Sequence, residues 1–310
     1  MNNTSSSSPQ EEIMLTVSSE IERVHQITSE DFIAKYVNKS KPVIISGIIP
    51  KWDCFSKWSL QYFQSIAPNL NIYAKHFQNG QIKVENFPIH EYANILEEYE
   101  KTKNQTEMDI LPPYSHDTPL FSLIPALVKD VQTFPLDYLP KWYAYKWWRY
   151  CQFFIGSSNS LTPLHFDCLL TNNLFFQIVG RKQFTLLLSE ESQYCYRYNW
   201  RWFKVDPEKP DLEQYPLFKN AKSIKVIVNP GEILYMPPGT LHHVRSRDMS
   251  ISFNIDWHTQ KSVLNGLVAG LKGMPPKNMY YNFLLALGLV LRVPPQVIFH
   301  FYKSYLNYIS

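Results

Sequence analysis

Between residues 145 and 257, short apolar runs alternate with turn-forming residues. Residues 156–160 read Gly-Ser-Ser-Asn-Ser and residues 237–239 read Pro-Pro-Gly, and both sequences are typical of turns. Many short strands at such close spacing predict an all-β sandwich or barrel, so we expect a mainly β protein with flanking helices. The apolar runs cover residues 145–155, 161–166, 174–179, 182–188, 223–228, 233–236, 241–246 and 249–257.

The composition supports a large core and gives no sign of a polyanionic partner. Of the 310 residues, 45% are hydrophobic and 18% are charged, and the chain contains 8 Trp, 20 Tyr and 19 Phe. Aromatic side chains favour strands because they pack well on a pleated surface. The net charge of +3 is too small to indicate nucleic acid or an anionic membrane as a partner. The length allows one large domain with a small appendage, or two modest domains.

The N-terminal part carries helix signals. Thr28, followed by Ser, Glu and Asp, predicts a capped helix start, and a second helix is expected near Ser59. Residues 88–102 predict a surface helix with one apolar face, and residues 42–47 predict a short buried strand that ends at a glycine.

The two ends of the chain differ from the β-rich part. Residues 1–18 are rich in Ser and Asn and predict a disordered tail, because they cannot bury enough apolar surface to offset ordering. We therefore divide the chain into this tail, a main domain (residues 19–258) and a C-terminal helical appendage (residues 259–310). Within the appendage the expected helical segments are residues 264–271, 279–293 and 297–308.

The strongly apolar segment 279–293 is shorter than the roughly 20 residues that span a bilayer. It also contains Asn282 and Arg292. We do not predict membrane attachment. The appendage is interpreted either as packing against the main domain or as forming a homodimer.

The cysteines and the N-terminus indicate a reducing compartment. The four cysteines form no CxxC pair, so a structural zinc site is not expected. Residues 1–12 are polar and lack an apolar signal core. We expect residence inside the cell, in the cytoplasm, the nucleus or both. The cysteines are Cys54, Cys151, Cys168 and Cys195.

A triplet with metal-ligand spacing lies at the end of one predicted strand. Residues i and i+2 of a strand point to the same side, so His165 and Asp167 can converge on one cation. Imidazole and carboxylate ligands suit Fe(II), Mn or Co, and two histidines with one carboxylate hold one face of a non-haem Fe(II) and leave the other face open. The third ligand would come from the His242–His243 pair. Strand neighbours face opposite ways, so only one of the two can join, and residue chemistry alone does not choose.

The alternative is a chance occurrence of the triplet, because the chain has nine histidines. Four segments around these histidines carry a more specific pattern. They are residues 161–167, 176–182, 230–237 and 241–244, and residues 206–216 extend the pattern. Together they resemble the JmjC (jumonji C, cupin-like) oxygenases, most closely the small hydroxylase branch of that family. The resemblance covers residues 21–258 and implies a double-stranded β-helix (a jelly roll) that binds Fe(II) and 2-oxoglutarate and uses O2.

The resemblance implies a role for each residue that matches the family pattern. His165, Asp167 and His242 match the metal ligands, which leaves His243 as a neighbour. Lys182 matches the lysine that pairs with the distal carboxylate of 2-oxoglutarate, and a buried dianion does need a cation. The remaining co-substrate residues that the resemblance implies are Tyr114, Thr162, Asn173 and Asn254.

This chain departs from the familiar pattern in two places. The interval between Asp167 and Asn173 is longer than in other members. Leu241 stands where an aromatic residue is common, and residues 254–257 replace the usual aromatic pair. We expect these differences to reshape the substrate channel.

The activity that the resemblance implies is hydroxylation of a protein side chain, with succinate and CO2 as co-products. Alternatives within the family are hydroxylation of a tRNA base and lysine demethylation. Outside it stand a non-catalytic cupin-like binding protein and a cupin enzyme that acts on a small metabolite without 2-oxoglutarate. The expected partners are a protein substrate, with tRNA as the alternative, and a second copy of the chain.

Overall fold

The computed structural model describes residues 20–78, 81–104 and 110–307. The predicted tail, residues 1–18, lies outside the described residues. The strands of the described part are β1 (Arg23–His25), β2 (Val43–Ser46), β3 (Asn71–Gln78), β4 (Gln81–Pro88), β5 (Ser115–Thr118), β6 (Cys151–Gly156), β7 (Leu161–His165), β8 (Asn172–Val179), β9 (Lys182–Leu187), β10 (Ile224–Val228), β11 (Ile233–Met236), β12 (Leu241–Ser246) and β13 (Ser250–Trp257). Its α-helices are α1 (Ser29–Phe32), α2 (Asp53–Lys57), α3 (Leu60–Ile66), α4 (Ile89–Thr102), α5 (Leu120–Leu123), α6 (Gln260–Val268), α7 (Pro276–Leu289) and α8 (Pro295–Tyr302).

Strands β6 to β13 build the core as two four-stranded antiparallel sheets. One sheet has the order β11-β8-β13-β6, and the other has the order β10-β9-β12-β7. Successive strands lie in opposite sheets except for β9 and β10, which are neighbours in the second sheet, and this is the topology of a double-stranded β-helix. The larger sheet is extended by β1 and β2 at one edge and by β5 at the other. The mainly β, cupin-like fold predicted from the sequence is therefore confirmed.

Strand β8 shows why the core strands have apolar residues at consecutive positions. Successive side chains of a strand point to opposite faces. Phe175 points between the two sheets, where its ring contacts Phe184 at a centroid distance of 5.0 Å. Phe176 points to the outer face and stacks on Phe253 at 4.7 Å. Both faces of the larger sheet are thus covered, the inner one by the second sheet and the outer one by aromatic side chains of the N-terminal elements.

The predicted helix starts near residues 28, 59 and 88 are confirmed. The Thr28 hydroxyl accepts a hydrogen bond from the Asp31 amide, and the Ser59 hydroxyl accepts one from the Tyr62 amide. Each hydroxyl thereby satisfies an amide that has no partner inside its helix. Helix α4 buries the predicted apolar face, including Leu96.

Two predictions about strands were wrong or incomplete. The strand expected from residue 145 starts only at Cys151, because Lys146 adopts a left-handed backbone and residues 147–150 form a helical turn. The hairpin formed by β3 and β4 was not predicted. Its charged residues, for example Lys83 and Glu85, hide the apolar alternation that marks a strand.

Three helices follow the core, as predicted, and pack against it. The second, α7, buries residues on several sides, including Tyr281 and Leu285. None of the helices in the described residues combines the length and the apolar character required to cross a bilayer.

Candidate metal centre and co-substrate pocket

Two histidines face each other across neighbouring strands at one end of the β-helix. His165 is the last residue of β7, His242 is the second residue of β12, and the two are paired in the register of these strands. A bulge between His242 and Val244 interrupts the pairing. The centroids of the two imidazole rings are 4.1 Å apart.

Asp167 completes the cluster from the β7–β8 loop (residues 166–171). Its Oδ1 atom lies 3.7 Å from Nε2 of His242. One ligand atom from each of His165, Asp167 and His242 lies within 4.8 Å of the other two. Asp167 lies beyond the end of β7, so it converges with His165 through a turn and not through the pleat of the strand. In that turn the Leu170 amide donates to the Asp167 carbonyl at 2.8 Å.

The backbone fixes which nitrogen of each imidazole is free. Nδ1 of His165 lies 2.8 Å from the Pro163 carbonyl oxygen, and Nδ1 of His242 lies 3.1 Å from the Thr240 carbonyl oxygen. A carbonyl oxygen can only accept, so each Nδ1 carries the proton and each Nε2 keeps a lone pair for a metal. Burial, and then the neighbouring His242, hold the pKa of His165 well below its usual range. Its ring is therefore neutral, as metal binding requires.

A buried lysine lies in the same cavity. Lys182 is 1% exposed, and its Nζ donates to the Tyr114 hydroxyl at 2.7 Å and to the Ser252 hydroxyl at 3.0 Å. The rings of Phe154 and Phe175 surround the ammonium group. Burial lowers the pKa of Lys182 to about 7. In the part of the chain that the structure describes, no carboxylate lies within 4.0 Å of this ammonium group, so an anionic ligand would supply the counter-charge.

Two asparagines extend the polar lining. Asn173 donates from Nδ2 to Oδ2 of Asp167 at 3.0 Å, so it orients the carboxylate of the metal cluster. Asn254 donates from Nδ2 to Oδ1 of Asp256 at 3.2 Å. The Oδ1 atoms of both asparagines are buried without a hydrogen-bond partner. Buried acceptors without a partner are rare in folded proteins, and they indicate a ligand or water that donates a hydrogen bond to them.

The structure brings every site residue predicted from the sequence into one cavity. This set fits a divalent metal beside a polar anion: two oriented imidazoles, a carboxylate, a cation without a counter-charge and unpartnered acceptors. The eight residues are Tyr114, Thr162, His165, Asp167, Asn173, Lys182, His242 and Asn254.

His243, the alternative third ligand, lies outside this cavity. Its Nε2 atom is 3.5 Å from Oδ1 of Asp206, on the other side of β12. The structure therefore selects His242 for the cluster through the pleat of β12, a choice that residue chemistry alone left open.

Several cavity residues were missed in the sequence. Asp256 could have been found, because it is two residues after Asn254 and so faces the same side of β13. Burial, and then the nearby Asp167, raise the pKa of Asp256 well above its usual range. Tyr305 gave no local signal, because its place in the cavity depends on how the C-terminal helices pack. The other missed residues include His116, Asp117, Gln152, Cys168 and Arg201.

The fold and the site together define a cupin-type domain with an open cluster of two histidines and one carboxylate. The family model described as a cupin-like domain matches residues 29–262. The chain therefore belongs to this cupin-like, JmjC-type family, and the resemblance seen in the sequence is confirmed.

Relatives with curated names carry different activities in those names. JmjC domain-containing protein D of Dictyostelium discoideum is 29% identical over 271 residues, which cover 78% of this chain and 57% of the relative. Lysine-specific demethylase 8 of Xenopus tropicalis is 27% identical over 244 residues, covering 76% and 52%. tRNA wybutosine-synthesizing protein 5 of Gallus gallus is 23% identical over 248 residues, covering 74% of each chain. The chain thus spans little more than half the length of the first two.

Proposed function

We propose that the protein is an Fe(II)- and 2-oxoglutarate-dependent oxygenase that hydroxylates a protein side chain and releases succinate and CO2. The observation that carries this proposal is the convergence of His165, Asp167 and His242 in the same cavity as the buried Lys182. Family membership supports the reaction type, and the cavity supports the co-substrate.

His165, Asp167 and His242 would hold the metal. Bound Fe(II), together with 2-oxoglutarate, supplies the activation of O2. The protein contributes two imidazoles whose Nδ1 atoms are held by backbone carbonyl groups and a carboxylate held by Asn173. Three protein ligands leave half of an octahedral coordination sphere open for other ligands.

Lys182 would pair with the distal carboxylate of 2-oxoglutarate. The hydroxyl groups of Tyr114 and Thr162 line the cavity and can donate to the same carboxylate. The rings of Phe154 and Phe175 exclude water around the ammonium group, and a charge pair is stronger in such a low-dielectric site.

A protein side chain is the proposed substrate, and two alternatives remain within the family. Hydroxylation of a tRNA base is supported by the likeness to a wybutosine-synthesizing protein, whereas the net charge of +3 gives no added support for a polyanion. Demethylation is supported by the likeness to a demethylase, because hydroxylating an N-methyl group releases it. Trapping with Fe(II) and N-oxalylglycine, a 2-oxoglutarate mimic, followed by mass spectrometry of bound polypeptides and RNA, would separate these substrates.

The test of the reaction type is production of succinate from 2-oxoglutarate with Fe(II) and O2. The wild-type protein should form succinate, and His165→Ala or Asp167→Ala should reduce it by at least ~100-fold, because each removes a metal ligand. Matched controls are His90→Ala and Asp31→Ala, which change half-exposed side chains outside the cavity. They should keep the wild-type rate.

Two results would reject the proposed oxygenase. A wild-type protein that binds no N-oxalylglycine but still converts a small metabolite would favour a cupin enzyme without 2-oxoglutarate. A protein that binds its partner and yields no succinate would favour a non-catalytic binding protein.

We also propose that the chain forms a homodimer through its C-terminal helices and works in a reducing intracellular compartment. Exposed apolar side chains on these helices and on the turns that join them support the first point, and four buried cysteines without a disulfide support the second. The exposed side chains include Val268, Leu271, Phe283, Leu291 and Phe301.

A further inference from the structure

We propose that the C-terminal helical segment, residues 259–307, is part of the active site. In this proposal Tyr305 forms one wall of the pocket, and Asn278 and Asn282 are positioning residues for the β7–β8 loop that presents Asp167. The proposal rests on the oxygenase function above, because the loop matters only if Asp167 binds the metal. The segment lies almost wholly beyond residue 262, where the match to the family model ends.

Tyr305 places the end of the described chain against the metal cluster. Its side chain is 9% exposed and lines the same cavity as Asp167, Cys168 and Asp256. Its hydroxyl lies 3.3 Å from Sγ of Cys168, the residue next to Asp167. The ring is held by Tyr302 at a centroid distance of 5.2 Å. A side chain from a segment outside the family match therefore limits the space beside a metal ligand.

Helix α7 supplies hydrogen-bond donors to the β7–β8 loop. Nδ2 of Asn278 lies 3.4 Å from the Cys168 carbonyl oxygen, which also accepts from Trp200 Nε1 at 2.7 Å. Nδ2 of Asn282 lies 3.3 Å from the Leu169 carbonyl oxygen. Both asparagine side chains are buried. Buried carbonyl groups outside a strand ladder need such donors, because an unmade hydrogen bond there is costly.

The backbone of the loop explains why it needs support. Leu170 has φ = +59°, a left-handed conformation that is unfavourable for a leucine. The contacts from Asn278 and Asn282 offset this by tying two consecutive carbonyl groups of the loop to one rigid helix.

The position of Asn282 is itself fixed by the barrel. Its Oδ1 lies 3.0 Å from Nε2 of His258, the residue that follows β13, and Nδ1 of His258 lies 2.9 Å from the Ser262 hydroxyl. Helices α6 and α7 approach closely at Gly266, where an added Cβ would stand 2.6 Å from Nδ2 of Asn282. The segment is therefore joined by hydrogen bonds to the core on one side and to the metal-binding loop on the other.

The positioning role is tested by metal affinity. Co(II) is titrated into the full chain in the presence of N-oxalylglycine, and binding is followed by calorimetry and by visible absorption. Asn278→Ala and Asn282→Ala should each weaken Co(II) binding by ~10-fold or more, which is typical for residues that orient a metal ligand. Asn265→Ala, an exposed asparagine on α6, is the matched control and should bind Co(II) as the wild type does.

The wall formed by Tyr305 is tested by the reactivity of Cys168. The thiol is buried, so a disulfide reagent should label it slowly in the native protein. Tyr305→Ala should speed labelling of Cys168 by at least ~10-fold, because it uncovers the thiol, whereas Tyr305→Phe keeps the ring and should leave labelling slow. If the fast labelling is lost when Cys168→Ser is combined with Tyr305→Ala, Cys168 is the thiol that reacts.

The outcomes separate this inference from the proposed function. If the wild type neither binds Co(II) with N-oxalylglycine nor forms succinate, the oxygenase function fails. If the wild type does both, while folded Asn278→Ala and Tyr305→Ala match it in Co(II) affinity and thiol labelling, the inference is overturned. These two variants leave Asn282 and its contact with His258 in place, so they decide the matter even if Asn282→Ala does not fold. A merely structural role would lower Tm and leave Co(II) affinity unchanged.

Discussion

At the scale of single residues, the site depends on side chains that have protein partners for only some of their polar atoms or charges. The imidazoles of His165 and His242 each give one nitrogen to a backbone carbonyl and keep the other free. The Lys182 ammonium has two hydroxyl partners and is buried without a counter-charge among the described residues. A protein tolerates such groups where a ligand completes them, so incomplete satisfaction is itself evidence of binding.

Lys182 makes the affinity for the co-substrate depend on pH. Because its pKa is about 7 in the free protein, the side chain is largely neutral at pH 8. A bound carboxylate favours the charged form and raises this pKa, so binding at pH 8 should take up close to one proton. Uptake should diminish as pH falls below 7, where the free protein is already protonated. Affinity should accordingly decline as pH rises above 7.

Calorimetry of N-oxalylglycine binding in buffers of different ionisation enthalpy measures this uptake. Lys182→Met should abolish it and weaken binding by ~10–100-fold, as expected for loss of a charge-assisted hydrogen bond worth ~1.5–3 kcal/mol. Lys225→Met, on the exposed side of β10, is the matched control. Unchanged affinity and proton uptake in Lys182→Met would show that the anion binds elsewhere.

At the scale of elements, the site lies where regular structure stops. β7 ends at His165, its pairing with β12 is irregular immediately after that residue's pair with His242, and Asp167 lies in the β7–β8 loop. The strands bring two ligands into register, and the loop turns the third toward them.

Helix α6 begins with a reciprocal cap that we expect to stabilise the C-terminal segment. The Thr259 hydroxyl accepts from the Ser262 amide at 3.0 Å, and the Ser262 hydroxyl accepts from the Thr259 amide at 2.9 Å. Thr259→Ala should lower the free energy of unfolding by ~1 kcal/mol, measured by urea denaturation. Asn265→Ala on the same helix is the control. An unchanged free energy in Thr259→Ala would mean that the cap contributes nothing to the segment.

At the scale of the whole molecule, the C-terminal helices have two different faces. One face is buried against the barrel and the metal-binding loop, and includes Asn278 and Asn282. The other exposes large apolar side chains, among them Phe283 and Phe301, each at 51%. The two interpretations made from the sequence, packing and dimerisation, are therefore compatible, since each uses a different face.

The proposed dimer predicts a mass in solution of twice the 36.5 kDa of one chain. Phe283→Glu and Leu291→Glu should convert it to a monomer, because a buried charge without a partner is costly in an interface. Light scattering after size-exclusion chromatography measures the mass. Leu217→Glu, which changes an exposed leucine outside these helices, should remain dimeric. A wild-type mass of 36.5 kDa at high protein concentration would rule the dimer out.

The sequence by itself determined the local features of this protein. Apolar runs of strand length predicted the core strands, hydroxyl residues predicted the helix starts, and the spacing of His165 and Asp167 indicated a shared metal ion. These features depend on residues that are near in the chain, so their periodicity and capping chemistry can be read directly. The hairpin of β3 and β4 was not predicted, because its charged residues interrupt that periodicity.

Only the tertiary structure decided which distant residues share the cavity. The register of β12 on β7 turned His242 inward and His243 outward, and the packing of α7 and α8 brought Tyr305 beside Cys168. No local pattern records such choices, because they follow from how complete sheets and helices fit against one another. The walls of the pocket therefore depend on how the elements pack, whereas most of the metal ligands can be predicted from the sequence.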